Sequence, residues 1–357
     1  MRSSVKEVAR VLVTGKGPSV LSNASLESLA DRTGVLDLLG SRKELAGTFP
    51  RARQVFLAQA AMGMGRLGFF REVVAALAES YIDVMPIKGM AYALMFERGG
   101  PVRHMADIDI LVRQNDFERA AGVLAALGYE EVFSGVRVGT RLHNERQFVK
   151  NDQLVELHRA FLPPGRVDID YDGIWERSLP LEQDGVRCRR LDREDTFLYH
   201  CFHFAMHEFA IGGLRAVWEM RRLVLEDGPE LAACLARARR WGTVRATWCS
   251  LRLLEVCFPG PAPRTIDGST GSGRERLDGQ VFEPGGWRRE FGKMIPLPVR
   301  LALERLVVQP SLEKLLHPGF LPRPVQLLRK ALLVDSLANA LAYLAWYGRA
   351  MVSTGRR

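Results

Sequence analysis

Two aspartates one residue apart, Asp107 and Asp109, sit inside the apolar run M-A-D-I-D-I-L-V. On a β-strand successive side chains alternate between faces, so positions i and i+2 stand on one side and these carboxylates would lie together. Like charges at that spacing repel unless a cation or a shared proton sits between them. A divalent metal held by oxygen ligands answers that need. Downstream, Q-L-V-E-L-H places Glu156 between Val155 and Leu157, with His158 two residues on and therefore on the face of Glu156. Upstream, Ile87-Lys88-Gly89 ends a short β-rich segment, Y-I-D-V-M-P-I-K-G, and opens the helical stretch M-A-Y-A-L-M-F. Amides at a helix start carry partial positive charge, a glycine there lets a phosphate come close, and Lys88 adds a full charge. Three carboxylates around Mg2+ or Mn2+, facing such a cradle, are the equipment of phosphoryl or nucleotidyl transfer.

The elements around these residues follow from hydrophobic periodicity. Residues 1–80 read as helices, with apolar positions recurring at about 3.6 residues. Residues 81–192 alternate short strands with helices. Y-I-D-V-M-P and M-A-D-I-D-I-L-V are strands, and N-D-F-E-R-A-A-G-V-L-A-A-L-G is a helix with Asn115 or Asp116 at its start and Gly128 at its stop. N-E-R-Q-F-V-K and Q-L-V-E-L-H form a hairpin around Asn151 and Asp152, and G-V-R-C-R-R-L is a further strand. Residues 193–357 are helical again, interrupted over about 258–298 by a stretch rich in Gly, Pro and Ser that reads as a flexible loop. The expected architecture is α/β: a small mixed sheet flanked by N-terminal helices and a helical C-terminal domain.

Bulk composition narrows the partners. The 357 residues are 47% hydrophobic and 25% charged, as in an ordinary folded protein, and carry a net charge of +9. That balance suits a polyanionic ligand such as a nucleotide; nucleic acid is not favoured, because the basic residues are spread rather than blocked. Five cysteines without C-x-x-C spacing, and an N-terminus without a proper signal-peptide core, point to a cytoplasmic protein. The apolar stretch A-L-L-V-D-S-L-A-N-A-L-A-Y-L-A-W-Y-G-R contains Asp335, Asn339 and Arg349, which argues against a membrane span.

Taken in order, V-M-P-I-K-G-M-A-Y-A-L-M-F, then R-x-M-x-D-I-D-I-L-V from Arg103, V-E-L-H, I-W-E-R and L-D-R-E-D-T-F-L-Y-H-C-F-H-F-A-M-H resemble one family over roughly Val84 to Leu225. It is the nucleotidyltransferase-like family of bacterial proteins within the DNA polymerase β-type nucleotidyltransferase superfamily. The resemblance implies that Asp107 and Asp109 bind the catalytic metals and that Glu156 is the third acid, which activates the acceptor. It implies that Lys88 and Gly89 lie where the superfamily places a Gly-Ser phosphate loop, although Met90 stands here in place of the serine. Arg103 would be a phosphate contact and His158 an aid to binding. The implied reaction moves a nucleotidyl group from a metal-bound NTP onto a hydroxyl or side-chain acceptor belonging to a small molecule, peptide or protein, releasing pyrophosphate. Two alternatives stay open: phosphoryl transfer at the same metal site, and a non-catalytic nucleotide-binding or antitoxin-like module.

Other motifs have plainer readings. His200, His203 and His207 share one side of a helix but lack the glutamate and cysteine partners of a zinc site, so they read as a pocket wall or as buried hydrogen-bonded groups. Asp168, Asp170 and Asp172 form a second acidic run without a phosphate-binding turn before it and read as an acidic loop.

Overall fold

The computed structural model describes residues 2–96, 105–132, 144–162, 167–207, 209, 213–259, 262–263, 281–314, 323–336, 338–341 and 345. The chain divides into two compact units. The first joins residues 1–55 to 193–340, and residues 56–192 make up most of the second. Helices α1 (Arg2–Thr14), α2 (Asn23–Arg32) and α3 (Leu36–Ser41) open the first unit, and the 30-residue helix α4 (Pro50–Glu79) runs from it into the second. The chain passes from the first unit to the second at 55/56 and returns at 192/193.

The second unit is built on a five-stranded mixed sheet. Strand β1 (Val84–Pro86) leads into helix α5 (Lys88–Phe96); β2 (Asp107–Val112) leads into α6 (Phe117–Ala126). Then come β3 (Glu130–Val132), β4 (Glu145–Lys150) and β5 (Gln153–His158). The spatial order is β1-β2-β5-β4-β3, with β2 and β5 parallel and every other pair antiparallel. The β4–β5 connection is the expected two-residue hairpin: Asn151 and Asp152 take left-handed φ values of 49° and 59°. That is the signature of a type I′ turn, and Asn and Asp are the non-glycine residues that tolerate it best. At the C-terminal end of α6, Gly128 takes φ 85° and stops the helix as its sequence position predicts. At the other end Asp116 makes no capping bond; its carboxylate pairs with Arg119 instead.

One face of this sheet is oily. Ile108, Ile110, Val112, Val155, Leu157 and Phe148 are buried there in one cluster with Ala120, Ala121 and Leu124 of α6 and Phe70, Val73 and Leu77 of α4. The alternation D-I-D-I-L-V is thereby explained, since each isoleucine turned into this core sends its neighbouring aspartate to the opposite face. Helix α7 (Tyr171–Arg177) and the hairpin β6 (Leu179–Gln183)–β7 (Val186–Arg190) complete the unit.

The first unit continues with α8 (Arg193–Met206), α9 (Gly213–Arg222), α10 (Leu231–Trp241) and α11 (Val244–Cys257). Its early and late parts are tied by polar bonds. Leu214 N–H donates to the Thr33 carbonyl at 3.1 Å, and the buried Arg215 guanidinium bonds both the Gly34 carbonyl and the Asp37 carboxylate. The loop expected over 258–298 is not all loop. Residues 262–263 and 281–282 pair as two short strands, and Pro284–Lys293 is a helix, α12. Pro284 at its first turn is compatible with helix initiation, and Trp287 and Phe291, one turn apart, are buried. The Gly- and Pro-rich composition hid that pair. Asp335 accepts from the Val244 and Arg245 backbone N–H groups at 2.7 and 2.9 Å, capping α11 from far along the chain. No helix among the described residues is long and apolar enough to cross a membrane, and all five cysteines are free thiols.

Candidate active site

The polar face of the five-stranded sheet carries the acids. Because β2 and β5 run parallel with Asp109 opposite Glu156 and Leu111 opposite His158, the side chains of Asp107, Asp109, Glu156 and His158 project from neighbouring strands to one side. The hairpin register adds Gln147 opposite Glu156 and Glu145 opposite His158. Asp109, Glu156 and His158 are buried, and one ligand atom from each lies within 4.8 Å of the other two. Asp107, at the entrance of β2, is half-buried.

Lys88 enters this cluster from the end of β1. The backbone N–H of Ile87 extends the β1–β2 ladder to the Asp109 carbonyl at 3.1 Å, which fixes the next residue beside Asp109. Lys88 itself holds φ at 52°, a left-handed conformation that costs a non-glycine residue roughly 1 kcal/mol or more. It is also a cation at the first position of α5, where the helix dipole disfavours positive charge. Two local rules are broken at one residue, and the compensation is visible. Lys88 Nζ bonds Asp109 Oδ1 and lies 3.4 Å from Glu156 Oε2.

The remaining donors surround the same oxygens. His158 Nε2 lies 2.9 Å from Asp109 Oδ1 and 3.5 Å from Glu156 Oε2, and Gln147 Nε2 donates to Glu156 Oε1 at 2.7 Å. His158 Nδ1 is buried without a hydrogen bond, 3.5 Å from a Glu145 carboxylate oxygen. Burial works against a charged imidazole, but the bonds to Asp109 and Glu156 outweigh it and push His158 up to about 9. Burial would raise the Glu156 carboxyl; its bond to His158 and the Lys88 charge overcome that and hold it well below the usual carboxylate range. Lys88 is held above the ordinary lysine value, because Asp109 and Glu156 offset the cost of its burial. Asp107 goes the other way. Burial and the charges of Asp109 and Glu156 push its carboxyl up to about 6, against partial relief from Lys88 and His158.

The donor set suits a hard divalent cation: three carboxylates on one face, one of them starved of positive charge even with Lys88 and His158 in place. Of the residues expected from sequence, the structure brings Asp107, Asp109, Glu156, Lys88 and His158 together, and Gly89 is buried at the start of α5 beside them. Arg103 lies outside the described residues. Gln147 and Glu145 escaped the sequence reading, although the two-residue turn at 151–152 fixes their register and makes them derivable.

The other motifs take structural roles. Asp170 caps α7, accepting from the Gly173 N–H at 2.9 Å, and Asp168 and Asp172 are exposed. His200 is buried with Nε2 2.7 Å from the Ala216 carbonyl oxygen, and the His203 ring packs against His207 at 4.4 Å and Tyr199 at 5.6 Å.

Among solved structures, two of ANT(2'')-Ia are similar to this chain, each at 13% identity over 45% of it. One is the solution structure of that antibiotic-resistance factor, covered over 84% of its length with a TM-score of 0.34. The other is the crystal structure of ANT(2'')-Ia in complex with adenylyl-2''-tobramycin, covered over 88% with a TM-score of 0.33. No curated protein sequence matches the chain. The model of a family described as "Uncharacterised nucleotidyltransferase" matches residues 26–259, a span that takes in the whole sheet and every acid and base of the cluster. With most of its length inside that match, the chain belongs to this nucleotidyltransferase family.

Proposed function

We propose that the protein transfers a nucleotidyl group from a Mg2+- or Mn2+-bound NTP to a hydroxyl or side-chain acceptor on a small molecule, peptide or protein, releasing pyrophosphate. The observation that carries this reading is the in-register placement of Asp109 and Glu156 on adjacent parallel strands, with Asp107 on their face and Lys88 reaching into them. Asp107, Asp109 and Glu156 would hold the metal. When bound, it neutralises triphosphate oxygens and lowers the pKa of the attacking hydroxyl.

The protein's own groups divide the remaining work. Glu156 is held in direction by Gln147, which donates to its Oε1, and by His158 beside its Oε2, so its carboxylate is positioned by the chain itself. Asp107, half-buried at the entrance of β2, completes the carboxylate set on the open side of the cluster. Lys88, and Arg103 from the sequence pattern, supply positive charge to the phosphates. Free thiols and a demand for NTP and Mg2+ fit a cytoplasmic setting.

The test is incubation of the purified protein with Mg2+, α- or γ-labelled NTPs and panels of hydroxylated small molecules and peptides, alongside Asp109→Asn. Pyrophosphate with label on an acceptor, lost in the variant, is the expected result. Formation of NDP with the γ-label on an acceptor would instead mark phosphoryl transfer, and NTP binding without turnover across the panels would mark a non-catalytic module.

A further inference from the structure

Lys88 occupies the atoms a metal would need. Its ammonium and the His158 Nε2 both approach Asp109 Oδ1 and Glu156 Oε2, while Gln147 holds Glu156 Oε1. A divalent cation entering here without nucleotide must strip the ammonium from two carboxylates and leave it without compensation. The Lys88 side chain is only 24% exposed, so water would replace those bonds poorly. A triphosphate changes the balance, because its oxygens offer the displaced ammonium new charged partners. The backbone beside Lys88 is meanwhile held by the Ile87–Asp109 ladder bond, so the lysine stays anchored next to the acids wherever its head group binds.

We infer that Lys88 is a tethered counter-ion that makes metal and nucleotide bind together: it sits between Asp109 and Glu156 in the metal-free protein and passes to the phosphates when the metal–NTP complex enters. This rests on the reading of those acids as metal ligands. Its consequence is a pair of effects with opposite signs. Removing the ammonium should tighten metal binding in the absence of nucleotide and weaken nucleotide binding in the presence of metal.

The experiment is Mn2+ titration of metal-free protein, reading free Mn2+ by electron paramagnetic resonance, for wild type, Lys88→Met and Asp109→Asn. Affinity for a non-hydrolysable NTP analogue is measured in parallel at saturating Mn2+. Lys88→Met should bind Mn2+ about tenfold or more tightly than wild type without nucleotide, and should bind the analogue at least about tenfold more weakly. Lys88→Gly, which accepts φ 52° without strain, repeats the test should the methionine variant fold poorly. If both Lys88 variants bind Mn2+ no more tightly than wild type while Asp109→Asn abolishes Mn2+ binding, the counter-ion role is overturned and the metal site stands. If Asp109→Asn leaves Mn2+ binding unchanged, the metal reading itself is overturned and the inference goes with it.

Discussion

Replacing Asp107 with Asn should remove activity and make the metal-free protein more stable. Its carboxyl sits near 6 in the folded chain against an ordinary 3.8, because burial and the neighbouring Asp109 and Glu156 charges disfavour ionisation. A carboxyl whose pKa rises on folding contributes stability below its unfolded value, and that contribution is lost as pH rises through the folded value. Above about pH 6, then, the wild type carries an ionised group that folding would rather see protonated. The gap between those two values corresponds to about 3 kcal/mol at 1.36 kcal/mol per tenfold. Asp107 is only half-buried and solvent screens part of this, so a gain of about 1–3 kcal/mol is expected for the asparagine variant at about pH 8. The assay is urea unfolding of both proteins in chelator, followed by a signal from the sheet-bearing unit, at about pH 8 and again below about pH 4. The gain should be present at the high pH and vanish at the low one, where both side chains are neutral. Saturating Mg2+ should stabilise the wild type more than the variant. An asparagine variant that is less stable at about pH 8, or a difference that does not change with pH, would refute the claim that this carboxylate is held under electrostatic strain.

Two further outcomes test the helical unit. Asp37→Ala leaves the Arg215 guanidinium, buried with its partner, without its carboxylate, and should destabilise that unit by about 3–5 kcal/mol in thermal or urea unfolding; a loss under about 1 kcal/mol would show that the pair does not hold the early and late helices together. Asp335→Ala removes the acceptor for two backbone N–H groups at the start of α11, where Thr243 makes no side-chain cap, and should cost about 1–2 kcal/mol, with faster amide exchange at Val244 and Arg245 as the local signature.

What the sequence made legible was whatever short periods encode. D-I-D-I-L-V and Q-L-V-E-L-H each announce a face, and two such strands with one oily side must lie in the same sheet with their acids on the other. The parallel pairing of β2 with β5 is not local information: it follows from chain crossing, and only with it do Asp109 and Glu156 become partners rather than two acids 47 residues apart in the chain. Lys88 shows the same limit from the other side. Its residue type and its place at a strand end suggested a phosphate contact, but its left-handed backbone and its grip on both carboxylates depend on where β1 pairs. The helix at 284–293 is masked in the sequence because four of its ten residues are glycine or proline, while the information that forms it lies in two aromatic residues one turn apart that need a core to bury them. Local conflict is itself a signal here. A lysine at a helix start with φ above zero is tolerated only where the surroundings over-determine it, and the surroundings are the three acids. Lys88, disfavoured both by its φ and by the helix dipole, is therefore the residue that ties the end of β1 to the acids of the site.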